Sequence, residues 1–264
     1  MEGPLAEEAR AILAAARGLL AELVEEGVEA LPRAPAPATA AGMPRAAEPE
    51  RPAASEAPAR PAAAPPVQPD SALFLERPSL AQVRETLGEC QRCRLSESRT
   101  QIVFGDGNPD AELLFVGEGP GETEDQRGLP FVGRAGELLT QMIEKGLGIP
   151  RSSVYICNVV KCRPPGNRTP QADEVAACSP FLDAQIAAVA PRVIVALGKP
   201  ATSRLLGRDV AITKVRGVWH EYRGIPLMPT FHPAFLLRQY TAENRRLVWE
   251  DLKAAASRAR GGSG

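Results

Sequence analysis

The sequence predicts an α/β fold, three layers (α/β/α) around a central, mostly parallel, four-stranded sheet, over residues 76–260. Three observations carry that reading. Four short runs rich in apolar and β-branched residues recur along the chain; segments with helical periodicity separate them; and three of the runs end in residues suited to a site. In such a sheet, ligands sit at the carboxyl ends of the strands.

The first 75 residues stand apart from this pattern. Residues 1–32 place apolar side chains at Ile12, Leu19, Leu20, Leu23 and Val24 with acids on other faces, an amphipathic helix with no core of its own. It is either a docking helix for a protein partner or a tethered, marginal helix. Glu2, Glu7 and Glu8 occupy the positions where a secretory signal would be basic. Residues 33–75 are almost entirely Ala and Pro with scattered charges. Such a segment buries too little apolar surface to offset its ordering entropy, so a disordered linker is expected.

The strands follow in order at 112–118 (ELLFVGE), 154–160 (VYICNVV), 192–198 (RVIVALG) and 227–231 (LMPTF). Between them lie the helical patterns 134–145, 171–189 and 200–206, and a last helix over 244–259 closes the chain. Gly117-Glu118-Gly119 ends the first strand, Asn158 lies late in the second, and His232-Pro233 follows the fourth.

Charge adds a mild constraint. The chain has a net charge of -1 from 31 Lys and Arg against 32 Asp and Glu. Residues 1–75 hold 6 of the basic and 11 of the acidic residues, which leaves 25 against 21 for the remainder. The folded part is therefore slightly basic, which permits a nucleic-acid patch without demanding one. No run is long enough to cross a membrane, and a cytoplasmic monomer is expected.

Five cysteines are present, Cys90, Cys93, Cys157, Cys162 and Cys178. Cys90 and Cys93 form C-x2-C, whereas Cys162 and Cys178 stand singly and far from them. Thiols kept reduced in the cytosol argue against two disulfides, so a metal site is expected. Zinc and an iron-sulfur cluster both fit this spacing. Cys157 sits inside an apolar strand and reads as core.

Four strings in this order carry a resemblance: the C-x2-C entry with RTQIVFGDGNPDAELLFVGEGPGETEDQRGLPFVGRAGELL, then NVVKCRPPGNRTP, then Cys178, then FHPAFLLR. Together they resemble the family 4 uracil-DNA glycosylases, the iron-sulfur branch of the uracil-DNA glycosylase superfamily, over about residues 80–253. The resemblance implies a DNA-repair enzyme that flips uracil out of DNA and hydrolyses its N-glycosidic bond. It implies that Cys90, Cys93, Cys162 and Cys178 ligate a structural 4Fe-4S cluster.

It also assigns roles in the cleft. Phe131 offers an aromatic face for the extruded ring, although a core Phe would look the same in sequence. Asn158 offers a donor and an acceptor that match O4 and N3-H of uracil and mismatch cytosine; the plainer reading is a turn-capping Asn. His232 donates to uracil O2 as the base departs with negative charge. Gly117, Glu118 and Gly119 form the water-activating segment, with Glu118 as candidate for positioning the water. Other branches carry an Asp one residue further on, where this chain has Gly119, so assigning the water to Glu118 departs from their pattern.

Two loops are expected to touch DNA. CRPPGNRTP brings Arg163, Asn167 and Arg168 to phosphates, and HPAFLLR brings Phe235, Leu236 and Leu237 beside Arg238, with Leu236 filling the gap left by the flipped base. His220 has no motif around it and reads as surface or packing.

Three other readings compete. A nucleotide-binding α/β protein is disfavoured because GEGPG is followed by acids rather than a helix start and no acid ends the second strand. A branch that traps the sugar on a histidine loop is disfavoured because the loop after Cys162 contains no His. A non-catalytic iron-sulfur module for DNA binding or electron transfer remains as the alternative.

Overall fold

The computed structural model describes residues 77–261. The helix expected over 1–32 and the linker expected over 33–75 lie outside the described residues.

Strands β1 (Asp106–Gly107), β2 (Leu113–Gly117), β3 (Tyr155–Asn158), β4 (Val193–Leu197), β5 (His220–Tyr222) and β6 (Ile225–Thr230) form one sheet in the order β1-β3-β2-β4-β6-β5. The helices are α1 (Leu80–Leu87), α2 (Glu122–Arg127), α3 (Arg134–Gln141), α4 (Ala172–Val189), α5 (Lys199–Leu206), α6 (Ile212–Val215), α7 (Pro233–Arg238) and α8 (Ala242–Ala259). The four expected strands are the parallel centre, β3-β2-β4-β6. The count of four is corrected to six by two short antiparallel edges, β1 on β3 and β5 on β6.

Alternation along each central strand builds two cores, because successive side chains point to opposite faces. Leu113 and Phe115 face one way, with Leu139, Ile143, Val248 and Leu252 of the α3 and α8 layer. Leu114 and Val116 face the other, with Leu182, Ile186 and Leu205 of the α4 and α5 layer. A smaller cluster of Val83, Leu87, Phe104 and Phe181 seats α1 on α4. At about 25 cal/mol per Å2 of apolar surface, each fully buried Leu or Phe contributes about 2 kcal/mol.

Parallel strands bring their carboxyl ends to one rim. Gly117 and Asn158 are register partners there, and the chain beyond β6 turns directly into His232. Asp251 of α8 fastens that end, accepting from Thr230 Oγ1 at 2.6 Å and from Arg216 Nε at 3.0 Å. No helix among the described residues is long and apolar enough to cross a membrane.

Candidate active site

The strand ends open into a cleft of about 840 Å3, whose lining includes Glu118, Gly119, Phe131, Asn158, Gly198 and His232. Phe131, Asn158 and His232 therefore share one cavity. Phe131 and His232 have ring centroids 5.6 Å apart with planes tilted by 36°. Gly117 lies beneath them: a Cβ there would stand 2.5 Å from Phe131 Cζ and closer still to Asn158 Oδ1. Only glycine lets the carboxamide and the aromatic ring close over the end of β2.

Phe131 holds a left-handed backbone, with φ of 53°, a conformation that costs about 1–2 kcal/mol for a residue with a Cβ. Neighbouring contacts over-determine it. Glu124 Oε1 accepts the N–H groups of Val132 at 2.9 Å and Gly133 at 2.8 Å, Arg151 Nη2 donates to Pro130 O at 2.7 Å, and Gly136 of α3 packs onto the Phe131 backbone with no room for a side chain.

Asn158 is 1 % exposed, and its Oδ1 has no hydrogen-bond partner among the described residues. A buried acceptor left open costs about 1–3 kcal/mol, which Asn158 carries at the cleft wall. His232 Nδ1 accepts from the Ala234 N–H at 3.1 Å. That bond leaves the imidazole proton on Nε2. Burial, reinforced by the Arg238 guanidinium and opposed by Glu124, lowers the His232 pKa to about 4, so the ring is neutral at pH 7. Burial pushes the Glu118 carboxyl up, while the Thr169 side chain beside it opposes the shift.

The remaining candidates divide. Asn167, Arg168, Leu237 and Arg238 line the cleft. Arg163 lies outside that lining and donates from Nε to Asn167 Oδ1 at 2.8 Å, stiffening the loop. Arg168 is committed elsewhere: its Nη1 and Nη2 donate to Glu174 at 2.8 and 2.6 Å. Leu236 requires correction. It is 0 % exposed and packs in the core, whereas the next residue, Leu237, is 39 % exposed and lines the cleft. The acids after GEGPG also form a helix start after all, since α2 begins at Glu122 with three acids in its first turn; acids there complement the helix dipole.

Cys90, Cys93, Cys162 and Cys178 line one small cavity with Arg92, Arg99 and Lys161, and Cys157 is fully buried in β3. Among the described residues no three His, Cys, Asp or Glu side chains stand close enough to grip a single ion. The surroundings of the four thiols are cationic. Arg99 Nη1 donates to Cys162 Sγ at 3.3 Å and Arg92 Nη1 to Cys90 Sγ at 3.4 Å. Lys161 is 1 % exposed, donates from Nζ to Asn158 O at 2.6 Å, and pairs with no carboxylate among the described residues. Burial pushes the Cys93 and Cys162 thiols up, and Cys178 to about 12. One buried and two more exposed cations around four sulfurs fit an anionic metal-thiolate group.

A family model described as the uracil DNA glycosylase superfamily matches residues 104–253. A type-4 uracil-DNA glycosylase of Thermotoga maritima is 54 % identical over 177 residues, covering 66 % of this chain and 92 % of that protein. Others from Sulfurisphaera tokodaii and Saccharolobus solfataricus are 49 % and 44 % identical, each covering 66 % of this chain and 82 % and 84 % of theirs. This chain belongs to the type-4 uracil-DNA glycosylase family. For a family member, the residues that sequence reasoning missed are supports rather than ligands. Glu124, in the cleft wall, and Arg151, Glu174 and Asp251, outside its lining, each grip backbone or guanidinium groups. The available signal was an acid or Arg within a loop or first turn, and it does not name its distant partner.

Proposed function

We propose that the cleft takes an everted uracil from DNA and hydrolyses its N-glycosidic bond, leaving an abasic site. The observation that carries this reading is the open Oδ1 of buried Asn158 beside a neutral His232 and the Phe131 ring. Uracil stacks on Phe131; Asn158 Oδ1 accepts N3-H and its amide donates to O4; His232 Nε2–H donates to O2. Cytosine offers a lone pair at N3 and an amine at position 4, so it leaves the carboxamide mispaired. As the bond from C1′ to N1 breaks, its electron pair moves onto the base and develops charge at O2. A donor already aimed there stabilises the transition state more than the ground state. Water adds to C1′ and gives its proton to Glu118, whose raised pKa suits a base.

Asn167 and Arg238 are suited to phosphates, and Leu237 to filling the vacated stack. Arg163 serves the same loop by holding Asn167. Cys90, Cys93, Cys162 and Cys178 would hold a 4Fe-4S cluster, which supplies iron-sulfur bonds that tie three distant segments together. The protein is read as a cytoplasmic monomer, with residues 1–32 proposed as the segment that takes a protein partner.

Incubation with a uracil-containing oligonucleotide followed by alkali tests the reading. Strand scission at uracil is expected, and an iron-bearing protein that leaves the strand whole would instead be the non-catalytic binding module. Glu118→Gln should slow single-turnover excision while DNA binding holds; an unchanged rate removes Glu118 from the chemistry.

A further inference from the structure

Glu174 is 0 % exposed in the first turn of α4, and its carboxylate gathers donors from three residues in two distant segments. The Gln171 N–H donates to Oε2 at 2.7 Å, as an N-terminal capping box requires. Arg168 adds the two bonds given above, and Arg94 Nε donates to Oε1 at 2.9 Å from a position 80 residues earlier in the chain. Capping a helix needs neither guanidinium.

The two arginines come from different places. Arg94 directly follows Cys93, in the turn Arg94–Glu97. Arg168 directly precedes Thr169, which lines the cleft and lies against the Glu118 side chain. One buried carboxylate thus joins a neighbour of the cysteine cavity to a neighbour of the cleft. Removing either arm leaves the other guanidinium on a carboxylate whose geometry is no longer fixed from both sides.

We propose that Glu174 is a positioning residue for excision: through Arg168 it sets Thr169 and the Glu118 carboxyl, and through Arg94 it makes that setting depend on the cysteine segment. The inference rests on the excision reading and deepens it by naming a link between the two cavities.

The test compares Arg94→Ala, Arg168→Ala and the double variant. Each is measured for steady-state kcat and KM on the uracil oligonucleotide, for salt dependence, and for the rate at which its visible iron-sulfur absorbance fades under a chelator. Each single change should lower kcat by about three- to thirtyfold with KM and salt dependence unchanged. The double should be no slower than the slower single, because both act through one carboxylate. Fading should quicken in Arg168→Ala as well as in Arg94→Ala, although Arg168 does not line the cysteine cavity. Glu174→Gln should reproduce the double; if it does not fold, the arginine variants carry the test.

Wild-type kcat in Arg94→Ala, or effects that multiply in the double, would overturn the link. So would Arg168→Ala acting only on KM with a flattened salt dependence, which marks a lost phosphate contact. If the unaltered protein releases no uracil, the excision reading falls by itself. The fading rates still decide the link in that case, since equal fading in Arg168→Ala and the unaltered protein would refute it.

Discussion

Asn158 and Cys162 stand four positions apart in the chain, yet they serve cavities of opposite construction. At the strand ends the cleft gathers three groups that are uncharged at neutral pH, a carboxamide with an unpaired acceptor, an imidazole held neutral by burial, and an aromatic ring, while Glu118, Arg168 and Arg238 line its outer walls. Its geometry is complete with protein atoms alone, and it lacks only hydrogen-bond partners. The cysteine cavity gathers Arg92, Arg99 and Lys161 around four thiols, with no carboxylate among the described residues of its lining to balance them. One region presents neutral groups at the strand ends and the other presents cations to four sulfurs. Variants in the cleft should therefore change rates while stability holds, and variants in the cysteine cavity should do the reverse.

The largest effect sharpens that contrast. His232→Ala removes the donor aimed at uracil O2 and should lower single-turnover excision by about 10²- to 10³-fold. The melting temperature should fall little, because the ring lines the cleft wall and is not part of the packed apolar core. A large fall in melting temperature would show the cleft to be a folding element and break the comparison.

Gly117→Ala comes next. The added methyl cannot coexist with Phe131 and Asn158 as they stand, so the ring and carboxamide must part by a few tenths of an ångström or more. A misplacement of about 1 Å costs up to 10²-fold in rate. Turnover of a uracil substrate should fall by about ten- to a hundredfold, with a smaller loss of binding to DNA that lacks uracil.

Acid sharpens the contrast further. The native pKa of His232, about 4, lies below the ordinary value of 6.5, so the folded state binds fewer protons than the unfolded chain between those values. Its contribution to stability is intact above pH 6.5 and is lost as pH falls through about 4. Arg238 and Glu124 face it with opposite signs, and Glu118 shares the cleft. Excision should lose activity in two steps on acidification. Glu118, raised above the usual carboxylate range, supplies the earlier step and His232 the one near pH 4. In the residual activity of Glu118→Gln, the earlier step should vanish and the later remain.

How much of this was legible in the sequence follows from where each residue sits. The four central strands declared themselves because both of their faces are buried, which forces continuous apolar runs such as LLFVG and VIVAL. The edges did not. β1 has two residues, both exposed, and β5 has three, of which only Tyr222 is buried; neither carries a pattern. The Arg223-Gly224 turn between β5 and β6, with φ of 49° and 83°, was the one readable sign of that hairpin. The strand-end residues Gly117, Asn158 and His232 could be placed on one rim from topology. Whether Leu236 or Leu237 faces outward could not, since α7 is six residues long and both are apolar. Glu174 was unreadable as a hub because its partners lie 6 and 80 residues away.

The smallest expected effect lies where the two regions meet. Lys161 sends its ammonium from the floor of the cysteine cavity to the carbonyl of Asn158. A buried ammonium without a counter-charge costs several kcal/mol, and replacing it by an apolar side chain of similar length removes that cost while leaving one carbonyl unpaired, at about 1–3 kcal/mol. The two terms oppose each other, so the sign of the result reports whether the sulfurs are charged. If they carry the negative charge of a bound cluster, Lys161 is compensated and Lys161→Met should lower the melting temperature by a few degrees and hasten cluster loss. After the cluster is stripped, the same substitution should be neutral or stabilising. Excision by the loaded variant should fall by no more than about tenfold, through the loosened end of β3. Equal melting shifts before and after stripping would mean that the ammonium answers only to the Asn158 carbonyl, and that the cationic ring is not matched to charge on the sulfurs.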